Sequence, residues 1–328
     1  MDAENLGLKQ LQCDYNFTKL LFQYKFNKVL SLPENGFRIG AMLLSEIKKI
    51  FHQELDTIYG VNEVSSFFYL LIENYFNLER FALVIQPNLI INKEKEAPLF
   101  EALSQLKLQR PIQHIIGFTD FMGLKLKVGP DVLIPRPETE DLVRWILDDY
   151  KVENYQHLKI LDIGTGSGCI PIVLARNLES ADVTGLDISS KALSIARSNA
   201  ALNKVEVDFF QGDILTGIPN SWIKSDFDVI VSNPPYVRDL EKKEMNINVM
   251  DHEPKEALFV SDKDPLVFYR AITEFAQKYL IRGGSLYFEI NQYLGKEMVS
   301  LLEKYTFRNI ELRKDMFGNH RMVKAVKE

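Results

Sequence analysis

The second half of the chain alternates between two kinds of apolar pattern. Runs of roughly four to eight apolar residues, rich in Val and Ile, are typical of buried strands, whereas longer segments with apolar residues three and four positions apart are typical of helices. From residue 159 onward the two patterns follow one another. They predict strands at 159–163, 182–188, 205–210, 228–232, 285–290, 307–312 and 322–326, and helices at 168–178, 189–202, 265–280 and 295–305.

Strands that alternate with helices form a mainly parallel sheet with helices on both faces, because the chain must cross back before it can add a parallel strand. The predicted fold class is therefore α/β, with a Rossmann-like, doubly wound sheet. Ser189 is expected to cap its helix, since a serine hydroxyl can accept from the first free amides. Ligands of such open sheets bind beyond the carboxyl ends of the strands, so polar residues directly after each strand are the first candidates for a site.

The region 42–110 has a helical period instead. One apolar stripe lies at 67–76 and a second at 99–106, while Pro87 and Pro98 are expected to end helices. The pattern predicts a small helical domain, and the two stripes are expected to form its core.

Two further segments flank this helical domain. Short apolar runs broken by glycine at 111–130 predict a β-hairpin linker to the sheet domain, which is expected to occupy 131–328. Residues 1–41 mix aromatic side chains with Asn and Lys and show no clear period. They are expected to be an amino-terminal extension, or the product of an upstream start, with no role that the sequence assigns.

The composition is that of an ordinary globular protein. The 328 residues are 46% hydrophobic and 26% charged, enough for about two domains. A net charge of −6 argues against a surface that neutralises many phosphates. The 2 cysteines and 5 scattered histidines have neither disulfide nor zinc spacing, so a metal-free protein is expected. No apolar run approaches the ~20 residues of a membrane span and no signal peptide is evident, so a cytoplasmic protein is expected.

The segment 233–236, Asn-Pro-Pro-Tyr, follows the strand predicted at 228–232. Each proline biases the residue before it to an extended conformation, so Asn233 is held at the strand's carboxyl end. The Asn233 side chain and the Pro234 carbonyl can accept both hydrogens of a planar NH2 group, while Tyr236 offers an aromatic face. The segment predicts an amine-binding site, although a rigid turn with a tyrosine over the core explains it equally well when it is taken alone.

A stiff, charged arm at 135–140, Pro-Arg-Pro-Glu-Thr-Glu, precedes a further predicted helix. Its two prolines keep the chain extended, and acidic residues favour the first turn of a helix. Arg136 and Thr139 are candidates for lining the same site as Asn233. A helix start with no further role accounts for the arm equally well.

Glycines at 164, 166 and 168 form a G-x-G-x-G turn between the strand at 159–163 and the helix after it. They allow a tight turn and let a ligand approach the backbone closely. A dinucleotide fingerprint needs G-x-G-x-x-G, and the charge of Asp162 would repel phosphate but suit a cationic ligand. A nicotinamide enzyme is therefore the weaker alternative. Cys169 is expected to pack under the turn, with a nucleophilic role at the helix start as its alternative.

Acidic residues also follow the next two strands of the sheet. A carboxylate at Asp187 can bind both hydroxyls of a ribose. After the third strand, Asp213 can accept from an adenine amino group, and Ile214 can cover the ring. Together with Asp162, these residues predict a nucleoside pocket that has no phosphate site. S-adenosylmethionine is the common cofactor that fits such a pocket.

These motifs together resemble those of the class I methyltransferases, and in particular the release-factor glutamine N5-methyltransferases. The segment 233–236 is similar to an amino-methyltransferase motif that DNA adenine and rRNA guanine methyltransferases share. Its combination with the arm at 135–140 is far more specific to the release-factor family. The resemblance extends from about residue 42 to the end, and includes the helical domain and the entry to the hairpin at 111–117, Pro-Ile-Gln-His-Ile-Ile-Gly.

The resemblance implies roles for individual residues. Position 214 is often aromatic in relatives, so apolar cover of the adenine rather than stacking is expected from Ile214. The implied catalytic residues are Asn233, Pro234 and Tyr236. The implied substrate-binding residues are Arg136, Thr139, Asn233, Pro234, Pro235 and Tyr236. The implied cofactor-binding residues are Gly164, Thr165, Gly166, Ser167, Gly168, Asp187, Asp213, Ile214 and Asn233.

The implied reaction transfers a methyl group from S-adenosyl-L-methionine to the side-chain amide nitrogen of the glutamine in a release factor's Gly-Gly-Gln motif, which modulates translation termination. The expected partners are peptide chain release factors, with no direct nucleic-acid or membrane contact and a monomeric chain. The alternative is a nucleic-acid amino-methyltransferase that acts on adenine N6 or rRNA guanine N2 through the same pocket. Residues 42–110 argue against it, because they mix charges of both signs where a basic recognition surface would be needed.

Overall fold

The computed structural model describes residues 41–151, 157–218, 226–244, 247–315 and 317–328. The expectation of an amino-terminal extension at 1–41 lies outside these residues, apart from Ala41. Among the helices described, none combines the length and the apolar character needed to cross a lipid bilayer.

The amino-terminal part of the described chain is a helical body around its own apolar core. Two of its helices meet through Phe51 and Phe68, whose rings pack edge to face with centroids 5.2 Å apart. The helical pattern predicted this body, but not the pair of short antiparallel strands that closes it. The elements are β1 (Ala41–Leu43), α1 (Leu44–Tyr59), α2 (Val61–Phe76), α3 (Ala82–Ile85), β2 (Ile90–Asn92), α4 (Lys93–Lys107) and α5 (Ile112–Ile116).

Pro98 lies inside α4, so the prediction that it ends a helix was wrong. A proline in a helix interior costs about 3 kcal/mol, because one hydrogen bond is lost and the ring crowds the preceding turn. Leu99, Leu103 and Leu106 of the same helix are buried in the core. Each contributes about 1.5–3 kcal/mol, so their packing outweighs the cost of the proline.

The hairpin is shorter than the segment 111–130 that was predicted to form it. Its antiparallel strands are β3 (Phe118–Phe121) and β4 (Leu124–Lys127). The residues before it form α5 instead, because the fixed φ of Pro111 suits the position before a helix and Gly117 ends the helix at φ 82°, in the left-handed conformation.

A seven-stranded sheet with helices on both faces forms the centre of the remaining described chain, which confirms the α/β prediction. Ser189 caps its helix as predicted, accepting from the Ala192 amide at 3.2 Å. The elements are α6 (Pro137–Lys151), β5 (Lys159–Ile163), α7 (Cys169–Asn177), β6 (Asp182–Asp187), α8 (Ser190–Asn203), β7 (Asp208–Gln211), β8 (Phe227–Ser232), β9 (Val237–Arg238), a 3-10 helix (Asp239–Glu244), α9 (Ile247–His252), α10 (Lys255–Leu258), β10 (Phe259–Val260), α11 (Val267–Tyr279), β11 (Leu280–Glu289), α12 (Gly295–Lys304), β12 (Phe307–Lys314) and β13 (His320–Lys327).

The strands of the sheet lie in the order β12-β13-β11-β8-β5-β6-β7. The run from β11 to β7 is parallel, whereas β13 is antiparallel to both of its neighbours. The chain order reverses at β5, with β6 on one side and β8 on the other. In open parallel sheets a ligand crevice forms at the carboxyl ends of the strands where the order reverses. The sheet therefore places its crevice beside the loops that follow β5 and β8.

Alternate residues of the central strands enter separate cores on the two faces of the sheet. Ile160 and Val231 pack on the face covered by α6 to α8, whereas Leu161 and Ile230 pack on the face covered by α11 and α12. These strands are buried on both sides, which is why they read as continuous apolar runs rather than as alternating ones. The sheet is thus a rigid base for the loops at its carboxyl edge.

Candidate active site

Asn233 stands directly after β8, at the carboxyl edge of the sheet. The last residue of that strand, Ser232, pairs with Ile163 of β5, and its hydroxyl donates to the Ile163 carbonyl at 2.6 Å. Gly164 comes next on the neighbouring strand, so close that an added Cβ would lie 3.9 Å from the Asn233 carbonyl oxygen. The Asn-Pro-Pro-Tyr segment and the glycine turn are therefore neighbours in space.

A chain of hydrogen bonds ties Asn233 to the start of α6 and to the end of β11. The Asn233 side-chain Nδ2 donates to the Thr139 hydroxyl at 3.2 Å. That hydroxyl donates to Glu289 Oε2 at 2.7 Å, and the Tyr236 hydroxyl donates to Glu289 Oε1 at 3.0 Å. Tyr236 and Thr139 thus meet at a single buried carboxyl group, and Asn233 is linked to it through Thr139.

Glu289 has 0% of its surface exposed. Burial raises the pKa of its carboxyl, while the hydrogen bonds from Thr139 and Tyr236 and the nearby Arg321 guanidinium act in the opposite direction. Burial, together with the Glu289 charge, raises the pKa of the Tyr236 hydroxyl, which therefore stays protonated as a donor. The Arg321 guanidinium lies over the Tyr236 ring at 6.0 Å from its centroid.

The glycine turn is built by backbone contacts. Gly164, Gly166 and Gly168 all have positive φ, a conformation that favours glycine. The Gly166 amide donates to Asp187 Oδ2 at 2.8 Å, and the Ser189 amide donates to Asp187 Oδ1 at 2.8 Å. The Asp187 carboxylate is therefore fixed against the turn, although burial raises its pKa against the effect of these bonds.

Several buried polar atoms around the glycine turn make no hydrogen bond of good geometry in the described protein. They are both carboxyl oxygens of Asp162 and the hydroxyls of Thr165 and Ser167. The Thr165 hydroxyl still lies near enough to Asp162, and the Ser167 hydroxyl near enough to Cys169, to oppose the rise in the pKa of each. Asp162 is 0% exposed, and burial raises the pKa of its carboxyl to about 7. The charge that the sequence assigned to Asp162 is thus disfavoured near neutrality, and a cationic neighbour would restore it. Buried polar atoms without partners are rare in folded proteins, so core packing alone does not explain this group of side chains.

Cys169 does not have the surroundings of a nucleophile. Its thiol is buried, and burial together with the nearby Asp162 raises its pKa to about 12. A reactive cysteine needs a lowered pKa and access to substrate. Packing beneath the turn is therefore the role that the structure supports.

Asp213 and Ile214 lie beyond β7, beside the loop that carries Asp187. The Gly212 amide donates to the Asp187 carbonyl at 3.0 Å, which holds the two loops together. Asp213 Oδ1 accepts from the Leu215 amide at 2.8 Å, and Ile214 is partly buried against the core on the side of α11. Both residues are thus at the same edge as the glycine turn, where the nucleoside pocket was predicted.

Arg136 is held by a partner that the sequence did not suggest. Its guanidinium binds Glu253 Oε1 at 2.6 Å, and the other carboxylate oxygen of Glu253 accepts from the Ile134 amide at 3.1 Å. The arm is therefore fixed on both sides of Pro135. The structure brings Thr139, but not Arg136, into hydrogen-bond contact with Asn233, so a substrate contact by Arg136 stays a prediction.

Glu289 and Glu253 are site residues that the sequence reasoning missed. Glu289 was hidden inside a predicted strand, where it interrupts the apolar run Leu-Tyr-Phe-Glu-Ile. A lone acidic residue in a buried strand is a usable signal, because burying an unpaired carboxylate is costly and such a group has partners. Glu253 stands in a polar stretch and gives no comparable signal.

A cavity of about 450 Å³ lies elsewhere, along β5 to β7 from their amino ends. Lys159, Asp182 and Asp208, which begin these strands, are among its lining residues. None of the predicted site residues lines it. Within the described ranges, no group of three or more His, Cys, Asp or Glu side chains converges as metal ligands would.

Comparison with known proteins identifies the family. Family models match a methyltransferase domain at residues 154–302 and a PrmC N-terminal domain at residues 58–117. A release factor glutamine methyltransferase of Flavobacterium psychrophilum is 51% identical over 285 residues, which are 87% of this chain and 99% of the relative. The chain belongs to the release factor glutamine methyltransferase family. Family members from Bacteroides thetaiotaomicron and Streptococcus pneumoniae are 40% and 38% identical, over 86% of this chain and 99% and 98% of their own length.

The residues around the glycine turn fit S-adenosylmethionine, the cofactor expected of a methyltransferase. The turn lets a ligand approach the backbone closely, because its three glycines carry no side chain. Each Asp187 oxygen accepts one backbone hydrogen bond and keeps a lone pair for a ribose hydroxyl. The two predicted halves of the site, for cofactor and for amide, meet where Gly164 approaches Asn233.

Proposed function

We propose that this protein transfers a methyl group from S-adenosyl-L-methionine to the side-chain amide nitrogen, N5, of the glutamine in the Gly-Gly-Gln motif of peptide chain release factors, and so modulates translation termination. One observation carries the proposal: in a member of this family, a buried Thr139–Glu289 pair holds the Asn233 side chain, and the Asn233 backbone lies beside the glycine turn. That position suits a group that must hold an amide beside a methyl donor.

The cofactor half of the site is assigned to the loops after β5, β6 and β7. S-adenosylmethionine supplies an electrophilic methyl group on a sulfonium when it is bound. Asp187 would hold the ribose hydroxyls, Asp213 would accept from the adenine amino group, and Ile214 would cover the ring. The backbone of the turn and the Asn233 side chain would complete the pocket through Gly164, Thr165, Gly166, Ser167, Gly168 and Asn233.

The substrate half must overcome the weak nucleophilicity of an amide nitrogen, whose lone pair is delocalised into the carbonyl. Asn233 Oδ1 and the Pro234 carbonyl accept the two amide hydrogens, which orients the nitrogen and stabilises positive charge as it develops. Tyr236 and Pro235 pack around the amide, and Thr139 and Arg136 line the approach. The chain needs no strong base for the transfer, because the proton can leave the nitrogen after methylation.

The domain organisation follows from this assignment. Residues 42–110 recognise the release factor, residues 111–130 link the domains, and residues 131–328 carry the methyltransferase site. A protein substrate requires no basic surface, which agrees with a net charge of −6. The protein is proposed to act as a cytoplasmic monomer without direct contact with nucleic acid or membrane.

A transfer assay with methyl-labelled S-adenosylmethionine tests the proposal. The protein is offered, in parallel, a release factor, the same factor with Gly-Gly-Ala in place of Gly-Gly-Gln, total rRNA and DNA. Label on the intact factor alone establishes glutamine methylation. Label on nucleic acid would replace the proposal with the amino-methyltransferase alternative, and label on the Gly-Gly-Ala factor would refute the acceptor residue.

A further inference from the structure

Glu289 does not contact the substrate in the proposed mechanism. Two residues of the substrate half nevertheless donate hydrogen bonds to its side chain. It ends β11, the strand beside β8, and accepts from Thr139 at 2.7 Å and from Tyr236 at 3.0 Å. The Tyr269 hydroxyl also donates to its backbone carbonyl, at 3.2 Å. No cationic side chain forms an ion pair with it in the part of the chain that the structure describes. The hydrogen-bond partners of its side chain are the hydroxyl groups of Thr139 and Tyr236, which are two of the predicted site residues.

The number of hydrogen atoms available in the hydrogen bonds from Asn233 through Thr139 to Glu289 decides which way the Asn233 amide points. A carboxylate has no hydrogen to donate, and a threonine hydroxyl has only one. Because Thr139 gives its hydrogen to Glu289, the Thr139 oxygen can only accept. Asn233 must then offer its NH2 group to Thr139.

The opposite orientation of Asn233 would place two acceptor oxygens in contact with no hydrogen between them, and it is excluded for that reason. With its nitrogen turned to Thr139, the Asn233 side chain has Oδ1 left as the acceptor that it can offer to a substrate. An acceptor binds the NH2 group of a substrate amide. A donor in its place would bind the amide's carbonyl oxygen and turn the nitrogen away from the methyl group.

We propose that Glu289 is a positioning residue that, acting through Thr139, fixes Asn233 with its carbonyl oxygen toward the substrate and also anchors Tyr236. This inference rests on the proposed function, since it assigns the acceptor that the glutamine amide meets. It explains why a fully buried acid stands at the end of an apolar strand. Burying a carboxylate is costly, and hydroxyl donors at both of its oxygens offset that cost.

Four variants test the inference in the transfer assay with release factor: Glu289→Gln, Thr139→Val, Thr139→Ser and the double variant E289Q/T139V. Glutamine keeps the shape of Glu289 but can donate to Thr139, which frees Asn233 to turn over. Valine keeps the shape of Thr139 and removes the hydroxyl, whereas serine keeps the hydroxyl. Thermal unfolding and S-adenosylmethionine binding by calorimetry, measured on each variant, show that the protein is folded and that the cofactor half is intact.

We expect E289Q and T139V each to lower kcat at least fivefold, with KM for the release factor and Kd for S-adenosylmethionine within threefold of wild type. T139S, which restores the hydroxyl, should recover most of the kcat that T139V loses. The kcat of the double variant should be no more than about twofold below that of the worse single variant, because both changes break the same series of hydrogen bonds. The inference is overturned by a T139V kcat within twofold of wild type, by a T139S loss equal to that of T139V, or by losses that multiply in the double variant.

The same experiment separates this inference from the proposed function. A wild-type protein that binds S-adenosylmethionine but places no label on the release factor refutes the function. Label transferred by wild type, with the variant pattern contradicted, refutes only the role of Glu289.

Discussion

Asp162 and Glu289 are both fully buried carboxyl groups on strands that flank β8, one in each half of the candidate site. Both of the Asp162 oxygens lack a partner in the described protein, and burial raises its pKa to about 7. Each Glu289 carboxyl oxygen accepts a hydrogen bond from a hydroxyl group, and these bonds oppose the rise that burial causes in the pKa of Glu289. The Asp162 carboxyl is buried without a hydrogen bond of good geometry, whereas the Glu289 carboxyl has one at each oxygen.

The contrast indicates how the work is divided between the halves. The half that meets the amide is preorganised, with Thr139, Asn233 and Tyr236 held before any substrate binds. Preorganised groups stabilise a transition state without having to reorient during the reaction. The cofactor half is shaped by its backbone, through the glycine turn and the two amides that hold Asp187. Substitutions in the two halves should therefore differ in whether they change binding or rate.

The largest effect is expected from Gly168→Ala, which tests whether close backbone packing shapes the cofactor half. The residue has φ +81°, and an added Cβ would lie 3.0 Å from Ile172 Cδ1 and 3.1 Å from Ala196 Cβ. Left-handed strain and overpacking together cost about 2–5 kcal/mol in the free energy of unfolding. The control is Gly166→Ala at φ +54°, where nothing lies within 4 Å and only about 1–2 kcal/mol of strain is expected.

Chemical unfolding of the two glycine variants makes this comparison directly. Equal losses of stability would contradict the proposed close packing between Gly168 and Ala196.

Asp162→Asn tests the carboxyl that lacks partners. The pKa of Asp162 rises on folding from 3.8 to about 7, so the folded state binds the proton more tightly and stability is lost as pH rises through that interval. Between about pH 5 and about pH 8, wild type should lose about 2–3 kcal/mol of unfolding free energy relative to the variant, which cannot titrate there. Asp148→Asn, at an exposed position of α6, is the control and should follow wild type.

Unfolding free energies measured at both pH values give the result. A constant gap between wild type and Asp162→Asn would mean that Asp162 is ionised at both.

Asn233→Ala tests the preorganised half. Removal of a hydrogen bond to a group that becomes charged costs about 1.5–3 kcal/mol, roughly 10- to 150-fold in rate. The loss should appear in kcat for release-factor methylation, with unfolding little changed. Asn74→Ala, at an exposed position of α2, is the matched control. An Asn233→Ala rate within twofold of wild type would remove Asn233 from the mechanism.

The strands and helices of the sheet domain were predictable because buried strands appear as short continuous apolar runs and helices have apolar residues at a regular spacing. The strand order places the ends of β5, β6, β7 and β8 at one edge, so the residues that follow them could be assigned to one site. The strand predicted at 205–210 begins only at Asp208, because Val205 and Val207 pack against the core without pairing in the sheet. A pattern of apolar residues indicates which residues are buried, and it indicates only indirectly which of them pair with a neighbouring strand.

The sequence could not give the contacts between distant segments. Thr139 and Glu289 are 150 positions apart, and only the fold shows that they share a hydrogen bond. Arg136 illustrates the same limit, because its partner Glu253 lies 117 positions away in a polar stretch without a period. Side chains at the ends of strands could be predicted as candidates for the site, while the residues that hold them in place depended on tertiary structure.

Ser189→Ala gives the smallest expected effect, and it separates stability from binding within the cofactor half. The Ser189 hydroxyl caps α8, and its loss costs about 1 kcal/mol of unfolding free energy. The Ser189 backbone amide still donates to Asp187, so affinity for S-adenosylmethionine should stay within twofold when measured by calorimetry. Ser66→Ala, at an exposed position inside α2, is the control and should be neutral or slightly stabilising, since alanine is the better helix former. A large loss of affinity in Ser189→Ala would show that the hydroxyl, and not only the backbone, holds Asp187 in place.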